Sequence, residues 1–420
     1  MDHRTRLLDW IEQDKDHLVR FLQAFTRIDT VNPPGDTRAG AALIAKTLTD
    51  AGLAFRVVGP REDMPNIIAS SVAPTQRGHL VLNGHIDVFP IGDRSLWTRD
   101  PLSGDHADGR IWGRGTVDMK CGTTASLFAF IYVSRLIHDL SGRLTLTVVS
   151  DAETGARFGS EWITEKLGDE VLGDCMLNNS EPSSIHTLRF GEKALFRLNL
   201  RVRTAGAHGA YLHLSRSAIR IAADLIIALA EVEQVRARVP AHVEELLARP
   251  DVRAAMDRGL GVGASDYVHR CTLNVGKISG GIAVSIIPSD CLLELDIRLP
   301  LGLTAKEMRG IVEKIAARFP EVTIEDPPRT PVDPMFSDPD RPMVGILQDT
   351  VQSLMGFRPH PIVSLGSTDC RSWRKRKVPT YVYGCSPIGM GRPNESVLVE
   401  EFLHVVRTHT LAAHSYLANA

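Results

Sequence analysis

Apolar runs that end in polar residues alternate with an apolar helical segment in the first half of the chain, and this alternation constrains the fold most. The runs at 79–90 (HLVLNGHIDVFP) and 143–150 (RLTLTVVS) have the length and composition of buried strands. Between them, residues 123–137 (TTASLFAFIYVSRLI) are apolar nearly all round, which is typical of a helix packed on a sheet. Strands alternating with helices predict an α/β domain, in which ligands gather at the carboxyl ends of the strands.

The pattern changes near residue 190, where the chain takes on the alternation of antiparallel strands. Residues 193–204 (KALFRLNLRVRT) alternate apolar and polar side chains, as does a strand with one face in water. A helix, two strand-like segments, a second helix and a final strand complete a β-α-β-β-α-β order. We therefore predict an inserted α+β domain at 188–325, within an α/β domain with a central mixed sheet formed by 1–187 and 326–420.

The charge balance and the apolar runs exclude several classes of partner. The formal charge of −2 gives no basic field that would favour nucleic acid or an anionic membrane. No apolar run is long enough for a transmembrane helix, and the N-terminal segment carries charges throughout, unlike a signal peptide. The 6 cysteines are scattered without a CxxC pair, which indicates reduced thiols. We expect a cytoplasmic protein that binds neither nucleic acid nor membrane.

Residues that ligate metals stand at or near the ends of the predicted strands. His85 and Asp87 are two residues apart, so they share one face of an extended segment. Asp118 follows a glycine-rich stretch, Glu153 follows the strand that ends at 150, and Glu181 follows another strand-like run. Each of them alone could be an ordinary surface or turn residue. One histidine with three carboxylates at strand ends is nevertheless a suitable ligand set for a divalent ion.

Eight segments, taken in order, resemble the M20 metallopeptidase family, which includes the acetylornithine deacetylase, succinyl-diaminopimelate desuccinylase and carboxypeptidase G types. The segments are GHIDVFP, GRGTVDMKCG, DAETG, SEP, AGAHGAYLH, LNVGKISGG, DIRLP and LGSTDCR. The resemblance covers nearly the whole chain. It implies a metal-bearing α/β domain interrupted by a lid domain that usually dimerises, so we expect a homodimer or a higher homo-oligomer.

The resemblance also implies a role for each of the predicted ligands. His85, Asp118 and Glu181 would hold one metal ion, and Asp118 would bridge to a second. Glu153 would belong to the second ion. Asp87 would orient His85, since a metal-bound imidazole is usually held in position by a carboxylate.

Further segments resemble family positions that meet the substrate. The matched residues are His208, Asn274, Arg298, Gly366, Ser367 and Arg371. By resemblance, His208 would reach the active site of a neighbouring subunit, while Asn274 and Arg298 would bind the carboxylate of the substrate. Arg371 follows a loop similar to a substrate-binding loop of the family and is a second candidate for an anion contact. We therefore expect a small substrate that bears a carboxylate.

The turn at 151–155 (DAETG) departs from the family at its centre. The family has Asp-Glu-Glu there, and its first Glu is the general base that takes a proton from the attacking water. Ala152 occupies that position, and a methyl group cannot accept a proton. Loss of general-base assistance costs about 10²–10⁴ in rate, so we expect impaired activity. The rest of the turn fits a functional site, which favours engineered removal of the base over a natural pseudoenzyme.

A second departure removes a histidine ligand near the C-terminus. The family has a His four residues before the Glu of an Asn-Glu pair, and the segment 389–396 (GMGRPNES) has Gly391 there. A register shifted by three residues finds Ile388, and neither side chain binds metal. We therefore predict one divalent ion, Mn²⁺ or Zn²⁺, with Glu153 either ligating it or lying beside a ligand. The excess of carboxylates favours Mn²⁺.

Three functions remain open at this point. The first is hydrolytic deamination of an aminoaromatic acid such as 5-nitroanthranilate, with release of ammonia, which the resemblance implies for a member of the family that holds a single ion. The second is an amidase, deacylase or carboxypeptidase activity on N-acyl amino acids, and the third is non-catalytic binding on the same fold. Ammonia release separates the first from the second. The third predicts no turnover even after Ala152→Glu.

Overall fold

The structure is a computed structural model that describes residues 2–178, 181–326 and 331–419. None of the described helices is long and apolar enough to cross a bilayer. The helices, in chain order, are α1 (His3–Gln13), α2 (Lys15–Arg27), α3 (Arg38–Asp50), α4 (Cys121–Ser134), α5 (Ser160–Lys166), α6 (Gly168–Val171), α7 (Ala218–Leu229), α8 (Ala241–Ala248), α9 (Pro250–Leu260), α10 (Ala264–Tyr267), α11 (Ala305–Ala316), α12 (Pro342–Met355), α13 (Cys370–Arg374) and α14 (Val399–Ala418). The strands, in chain order, are β1 (Phe55–Val58), β2 (Asn66–Val72), β3 (Thr75–His85), β4 (Asp105–Ala107), β5 (Arg110–Trp112), β6 (Ser141–Val149), β7 (Cys175–Asn178), β8 (Thr187–Glu192), β9 (Ala194–Arg203), β10 (Ala207–His208), β11 (Thr272–Gly280), β12 (Ile286–Ile287), β13 (Asp290–Leu299), β14 (Val322–Glu325), β15 (Met335–Phe336), β16 (His360–Ser364), β17 (Thr380–Val382) and β18 (Ser396–Leu398).

A mixed sheet forms the centre of the larger domain and confirms the predicted α/β class. In the described part of the chain it contains nine strands, in the order β1-β2-β6-β3-β7-β17-β8-β15, with β16 beside β8. The central strands β6, β3, β7 and β17 run parallel, so their carboxyl ends meet at one edge. The predicted apolar helix is confirmed as α4, all of whose residues are buried where it packs against α14, β3 and β6.

A smaller antiparallel sheet, in the order β11-β13-β9-β14, lies in the inserted part of the chain. The strand predicted over 193–204 is confirmed as β9, whose side chains alternate between buried and less buried. Helices α7 and α11 cover one face of this sheet and share an apolar core with it, distinct from the core of the larger domain. The observed order of the main elements is the predicted β-α-β-β-α-β order, with the ribbon of β10 and β12 added.

Helices α8, α9 and α10 occupy the charged segment between α7 and β11, and α8 and α9 pack on the larger domain. Val243, Leu247, Val252 and Met256 belong to the same apolar core as the larger sheet. Strand β8 also pairs within the larger sheet, so the predicted boundary at 187/188 falls inside it. Part of the range 188–325 therefore contacts the larger domain. Apolar spacing indicates that a helix has a buried face but does not indicate which domain covers it.

Two buried histidines on α14 contact Tyr383 from different sides. His404 Nε2 lies 2.7 Å from the Tyr383 hydroxyl oxygen, and His409 Nε2 lies 2.6 Å from the Tyr383 carbonyl oxygen. Burial lowers the pKa of His404 to about 4 and that of His409 to about 3. Both imidazoles are therefore neutral at neutral pH, and protonation of either one opposes folding.

We expect the free energy of unfolding to fall as the pH drops below the ordinary histidine pKa of 6.5. Between that pH and the lowered pKa values the unfolded chain binds more protons than the folded one, so stability is lost as the pH falls. Each histidine contributes up to about 1.4 kcal/mol per pH unit in that window. The slope of the unfolding free energy against pH gives the number of protons that the chain takes up on unfolding. Denaturant unfolding at a series of pH values should show that His409→Gln lowers this number by about one. The control His106→Gln changes an exposed ring and should leave it unaltered, and an unaltered dependence in His409→Gln would contradict the prediction.

Candidate metal centre

The carboxyl ends of β3 and β6 bring the predicted ligands to one point. These strands are parallel neighbours, and His85 is paired with Val149. The turn at residues 151–155, called the acidic turn below, follows β6 and therefore begins beside His85. Asp118 comes from an irregular helical turn that precedes α4. One ligand atom each from His85, Asp118 and Glu153 lies within 4.8 Å of the other two. The fold thus assembles one imidazole and two carboxylates from three separate segments.

The distances and the unsatisfied atoms in this cluster fit a divalent ion. His85 Nε2 lies 3.5 Å from Asp118 Oδ1, which is close to the value of about 3.4 Å for two atoms on one tetrahedral ion at about 2.1 Å. Asp118 Oδ1 and Glu153 Oε1 are buried and accept no hydrogen bond from the residues that the structure describes. Burying such oxygens without a partner is costly, and a cation would remove that cost. His85, Asp118 and Glu153 are therefore the residues that would hold the metal.

Crowded carboxylates give this site a strong preference for positive charge. Burial raises the pKa of Glu153 well above its ordinary value, and repulsion from Asp118 raises it further. Burial raises the pKa of Glu181 to about 8, again with a contribution from Asp118. Glu181 therefore faces the same region, although its oxygens lie outside the three-residue cluster. The two residues before it, 179 and 180, lie outside the described residues.

Asp87 positions both His85 and the acidic turn. His85 Nδ1 lies 2.8 Å from the Asp87 carbonyl oxygen and 3.5 Å from Asp87 Oδ1, so Nδ1–H points at Asp87 and Nε2 is left for the cluster. The Asp87 carboxylate accepts the backbone N–H groups of Ala152 at 3.1 Å and of Glu153 at 3.0 Å. Asn32 Nδ2 donates to Asp87 Oδ2 at 2.9 Å. Sequence reasoning did not identify Asn32, because a loop asparagine beside two prolines carries no sign of this distant contact.

Replacing Asp87 with Asn should weaken metal binding about 10–100-fold, the usual effect of losing a residue that orients a ligand. The N–H groups of Ala152 and Glu153 bind different oxygens of Asp87, and the amide replaces one of these oxygens with an NH₂ group that accepts no hydrogen bond. Competition with a metal chelator at neutral pH measures the change in affinity. Asp50→Asn, at an exposed position on α3, is the matched control. Equal affinities of the two variants would contradict the positioning role of Asp87.

The candidate substrate residues of the inserted domain make no described contact with His85, Asp118 or Glu153, the three residues of the metal cluster. His208 is exposed on the ribbon of β10 and β12, where its Nδ1 accepts the N–H of Ala210 at 3.2 Å. Asn274 is exposed on β11, and Arg298 on β13 is ion-paired with Asp296 at 2.7 Å. These three residues therefore share the smaller domain, and none of their described contacts is with a metal-cluster residue.

The loop after β16 is fixed by a buried carboxylate. Glu192 Oε2 accepts hydrogen bonds from the backbone N–H and the hydroxyl of Thr368, at 2.8 and 2.7 Å. The N–H of Gly366 donates to a serine hydroxyl at 3.2 Å, and Arg371 donates to Ser367 Oγ at 3.3 Å. Arg371 is half-buried, and Ser367, which accepts its described hydrogen bond, belongs to the same loop. Glu192 was not predicted from the sequence, since the contact spans 176 residues.

A buried ion pair holds the backbone of the turn that carries Asp118. Arg114 donates to Glu395, and both side chains are almost completely buried. Glu395 Oε1 in turn accepts the backbone N–H groups of Val117 at 2.9 Å and of Asp118 at 3.2 Å. In the sequence, Glu395 is only the acidic residue of the Asn-Glu pair that marks the position of the missing histidine. The structure adds that this carboxylate anchors the turn that carries a metal ligand.

The two positions considered for the missing histidine supply no ligand. Gly391 has φ +71°, and its carbonyl oxygen accepts a hydrogen bond from Arg114 at 3.2 Å. A Cβ built there would meet Phe89 only at 4.0 Å, so a side chain would have space but a strained backbone. Ile388 is exposed and apolar. Neither position contributes an atom to the cluster of His85, Asp118 and Glu153.

Comparisons with known proteins agree with this fold. Residues 81–415 match the sequence profile of Peptidase family M20/M25/M40. A succinyl-diaminopimelate desuccinylase of Cereibacter sphaeroides (strain ATCC 17025) is 28% identical over 384 residues, which covers 89% of this chain and 93% of that protein. The M20 family metallo-carboxypeptidase Sso-CP2 from Sulfolobus solfataricus has a TM-score of 0.79 at 18% identity, covering 95% of this chain and 99% of that one. The YXEP protein of Bacillus subtilis, described as a dinuclear metal-binding peptidase of family M20, has a TM-score of 0.63 at 12% identity, covering 97% and 99%. At these identities the two solved structures establish the shared fold.

Proposed function

Because the chain belongs to Peptidase family M20/M25/M40, we propose that it is a metal-dependent amide hydrolase that acts on N-acyl amino acids. The buried cluster of His85, Asp118 and Glu153, with two carboxylate oxygens that lack a hydrogen-bond partner in the described chain, carries this proposal. When bound, a divalent ion supplies Lewis acidity toward the amide carbonyl and makes water a stronger nucleophile. The desuccinylase name of the sequence relatives supports amide cleavage as the reaction.

The residues of this chain would then divide the remaining work. Asp87 holds the imidazole of His85 and the backbone of the acidic turn in fixed positions. The expected place of the general base is occupied by the methyl group of Ala152, which moves no proton. We therefore propose that substrate binding is retained while the proton transfer is slow, and that turnover is low for this reason.

The aminohydrolase interpretation gains no support from the relatives, and the amidase alternative agrees with them better. Their name denotes a desuccinylase acting on succinyl-diaminopimelate, which is an N-acyl amino acid. Deamination of 5-nitroanthranilate was inferred from the missing histidine alone. We therefore propose an N-acyl amino acid as the substrate and retain 5-nitroanthranilate as the compound that tests the alternative.

We propose that one ion, Mn²⁺ or Zn²⁺, occupies the site. Two observations support a single ion: His85, Asp118 and Glu153 lie close enough to share one, and Gly391 supplies no ligand for another. The Bacillus subtilis protein is described as dinuclear, so the number of ions per chain tests this proposal directly. Two carboxylates against one imidazole favour Mn²⁺ over Zn²⁺.

The decisive experiment is a substrate panel combined with a metal count. The chain, loaded with Mn²⁺ or Zn²⁺, is given succinyl-diaminopimelate, other N-acyl amino acids and 5-nitroanthranilate. We expect slow amide hydrolysis without ammonia and one ion per chain, both lost in Asp118→Asn. Ammonia from 5-nitroanthranilate without amide hydrolysis would overturn the proposal. No turnover of any compound after Ala152→Glu would favour a binding protein.

We propose that the chain forms a homodimer through the edge of the smaller sheet. Strand β11 is an edge strand, and Ile278 on it and Ile282 and Val284 just after it are exposed. An exposed apolar edge strand is a site for pairing with another chain. We expect a solution mass of twice 46.1 kDa by light scattering, and a monomer after Ile278→Lys. Val72→Lys, on the larger sheet, should leave the mass unchanged, and a monomeric starting protein would contradict the proposal.

We also propose a cytoplasmic location and a small carboxylate-bearing substrate, with no nucleic acid or membrane partner. All six cysteines are buried free thiols, which supports a reducing compartment. The net charge of −2 gives no reason to expect a polyanionic partner. Arg298 and Arg371 remain the proposed contacts for the substrate carboxylate. Substituting either arginine with Leu should raise KM, and measuring KM for each variant tests this.

A further inference from the structure

A second group of metal-ligating side chains lies where the first and last helices meet. His3 is the first residue of α1, and His414 lies near the end of α14. His3 Nδ1 is 3.2 Å from His414 Nε2, and His3 Nε2 is 3.4 Å from Asp139 Oδ2. His138 lines the same surface cavity, which has a volume of about 390 Å³. None of these residues belongs to the cluster at the strand ends.

His3 lies between Asp139 and His414. Its Nε2 is 3.4 Å from Asp139 Oδ2, and its Nδ1 is 3.2 Å from His414 Nε2. A carboxylate accepts hydrogen bonds but does not donate them, so Asp139 favours the tautomer of His3 that has the proton on Nε2 and the lone pair on Nδ1. A carboxylate that orients an imidazole through its second nitrogen is the usual arrangement around histidine ligands of zinc.

The spacing of the two imidazoles matches a shared ion. Two nitrogens at about 2.0–2.1 Å from one ion lie about 2.8–3.0 Å apart if the ion is octahedral and about 3.3–3.4 Å apart if it is tetrahedral. The observed separation of His3 Nδ1 and His414 Nε2 is 3.2 Å, with the ring planes at 86° to each other.

We propose that His3 and His414, with His138 at the rim of the cavity, form a second binding site for a divalent transition metal such as Zn²⁺ or Cu²⁺. Imidazole ligands select these ions, whereas the carboxylate-rich cluster of the larger domain suits Mn²⁺. Asp139 is a positioning residue that acts through His3. An ion bound here joins α1 to α14 and to the turn before β6, so it stabilises the contact between the two ends of the chain.

The test compares zinc binding by the Mn²⁺-loaded protein and by variants of the surface site. We expect the wild type to bind one more Zn²⁺ than His414→Gln or His3→Gln, and Asp139→Asn to bind it about 10–100-fold more weakly. With Cu²⁺, the electron paramagnetic resonance spectrum should show nitrogen ligands that disappear in His414→Gln. Hydrolytic activity should be the same in all of them, because these residues lie outside the catalytic cluster.

The control is His106→Gln, which removes an exposed imidazole on β4 and should not alter zinc stoichiometry. His3→Gln changes the first residue of a helix, so it provides a folded variant even if His414→Gln is destabilised. Equal zinc stoichiometry in the wild type and His3→Gln would overturn the proposal. The two histidines would then share a simple hydrogen bond. Failure of the proposed amide hydrolysis would not affect this result, since the assay measures metal binding.

Discussion

Replacing Ala152 with Glu should raise the rate of amide hydrolysis about 10²–10⁴-fold, because it restores a general base to the acidic turn. The backbone at this position is already fixed, since the N–H of Ala152 donates to Asp87 Oδ1 at 3.1 Å. The side chain is half-buried and directly precedes Glu153 of the metal cluster. A new carboxylate would therefore start from a fixed point beside the reacting groups, and the change should appear in kcat.

Ala152→Gln separates the proton transfer from the size of the side chain. Glutamine has the same length as glutamate but accepts no proton at neutral pH, so its rate should stay near that of the present chain. Metal content must be equal in the three proteins for the comparison to hold. Equal rates for Ala152→Glu and Ala152→Gln would contradict the assignment of this position to the general base.

Replacing Arg114 with Leu should lower the free energy of unfolding by about 3–5 kcal/mol, the usual cost of leaving a buried charge without its partner. Arg114 and Glu395 are both almost completely buried, and Glu395 accepts two backbone N–H groups of the turn that carries Asp118. Burial raises the pKa of Glu395, and Arg114 opposes that rise. Without Arg114 the carboxyl group of Glu395 takes up a proton more readily. Because this group holds the backbone of Asp118, we expect the metal affinity to fall as well.

Urea unfolding of the metal-free proteins measures this loss, and two further variants test its cause. Arg114→Leu combined with Glu395→Gln should recover part of the stability, because the unpaired charge is gone while an acceptor oxygen remains. Arg38→Leu removes an exposed arginine that is paired with Asp36, and surface pairs of this kind contribute little. A loss in Arg38→Leu as large as that in Arg114→Leu would show that the buried pair has no special role.

The strand ends that carry the cluster could be predicted from the sequence because their signals are local. An apolar run marks each strand, a polar residue marks its end, and parallel neighbours bring those ends together. His85 and Glu153 are identified in this way, whereas Asp118 is identified from the glycine-rich stretch that precedes it. The order of elements in the inserted domain followed from alternation and helical spacing in the same manner.

The residues that support the cluster had no local signal. Asn32 reaches Asp87 across 55 residues, and Glu395 reaches Asp118 across 277. A hydrogen bond between such distant residues depends on the packing of whole elements, which periodicity does not encode. The same holds for α8 and α9. Their sequences predict that each has a buried apolar face but do not predict which domain covers it.

The return of α8 and α9 to the larger domain restricts how the two domains can move. Three of the segments that connect them lie side by side: Arg236 and Arg270 form an antiparallel bridge, and Lys193 Nζ donates to the carbonyl oxygens of Tyr267 at 3.0 Å and Arg270 at 2.7 Å. A body attached along one line of hydrogen-bonded segments resists sliding and twisting, but it still rotates about that line. We therefore expect these three segments to favour rotation of one domain about the line that they form over sliding of the domains past each other.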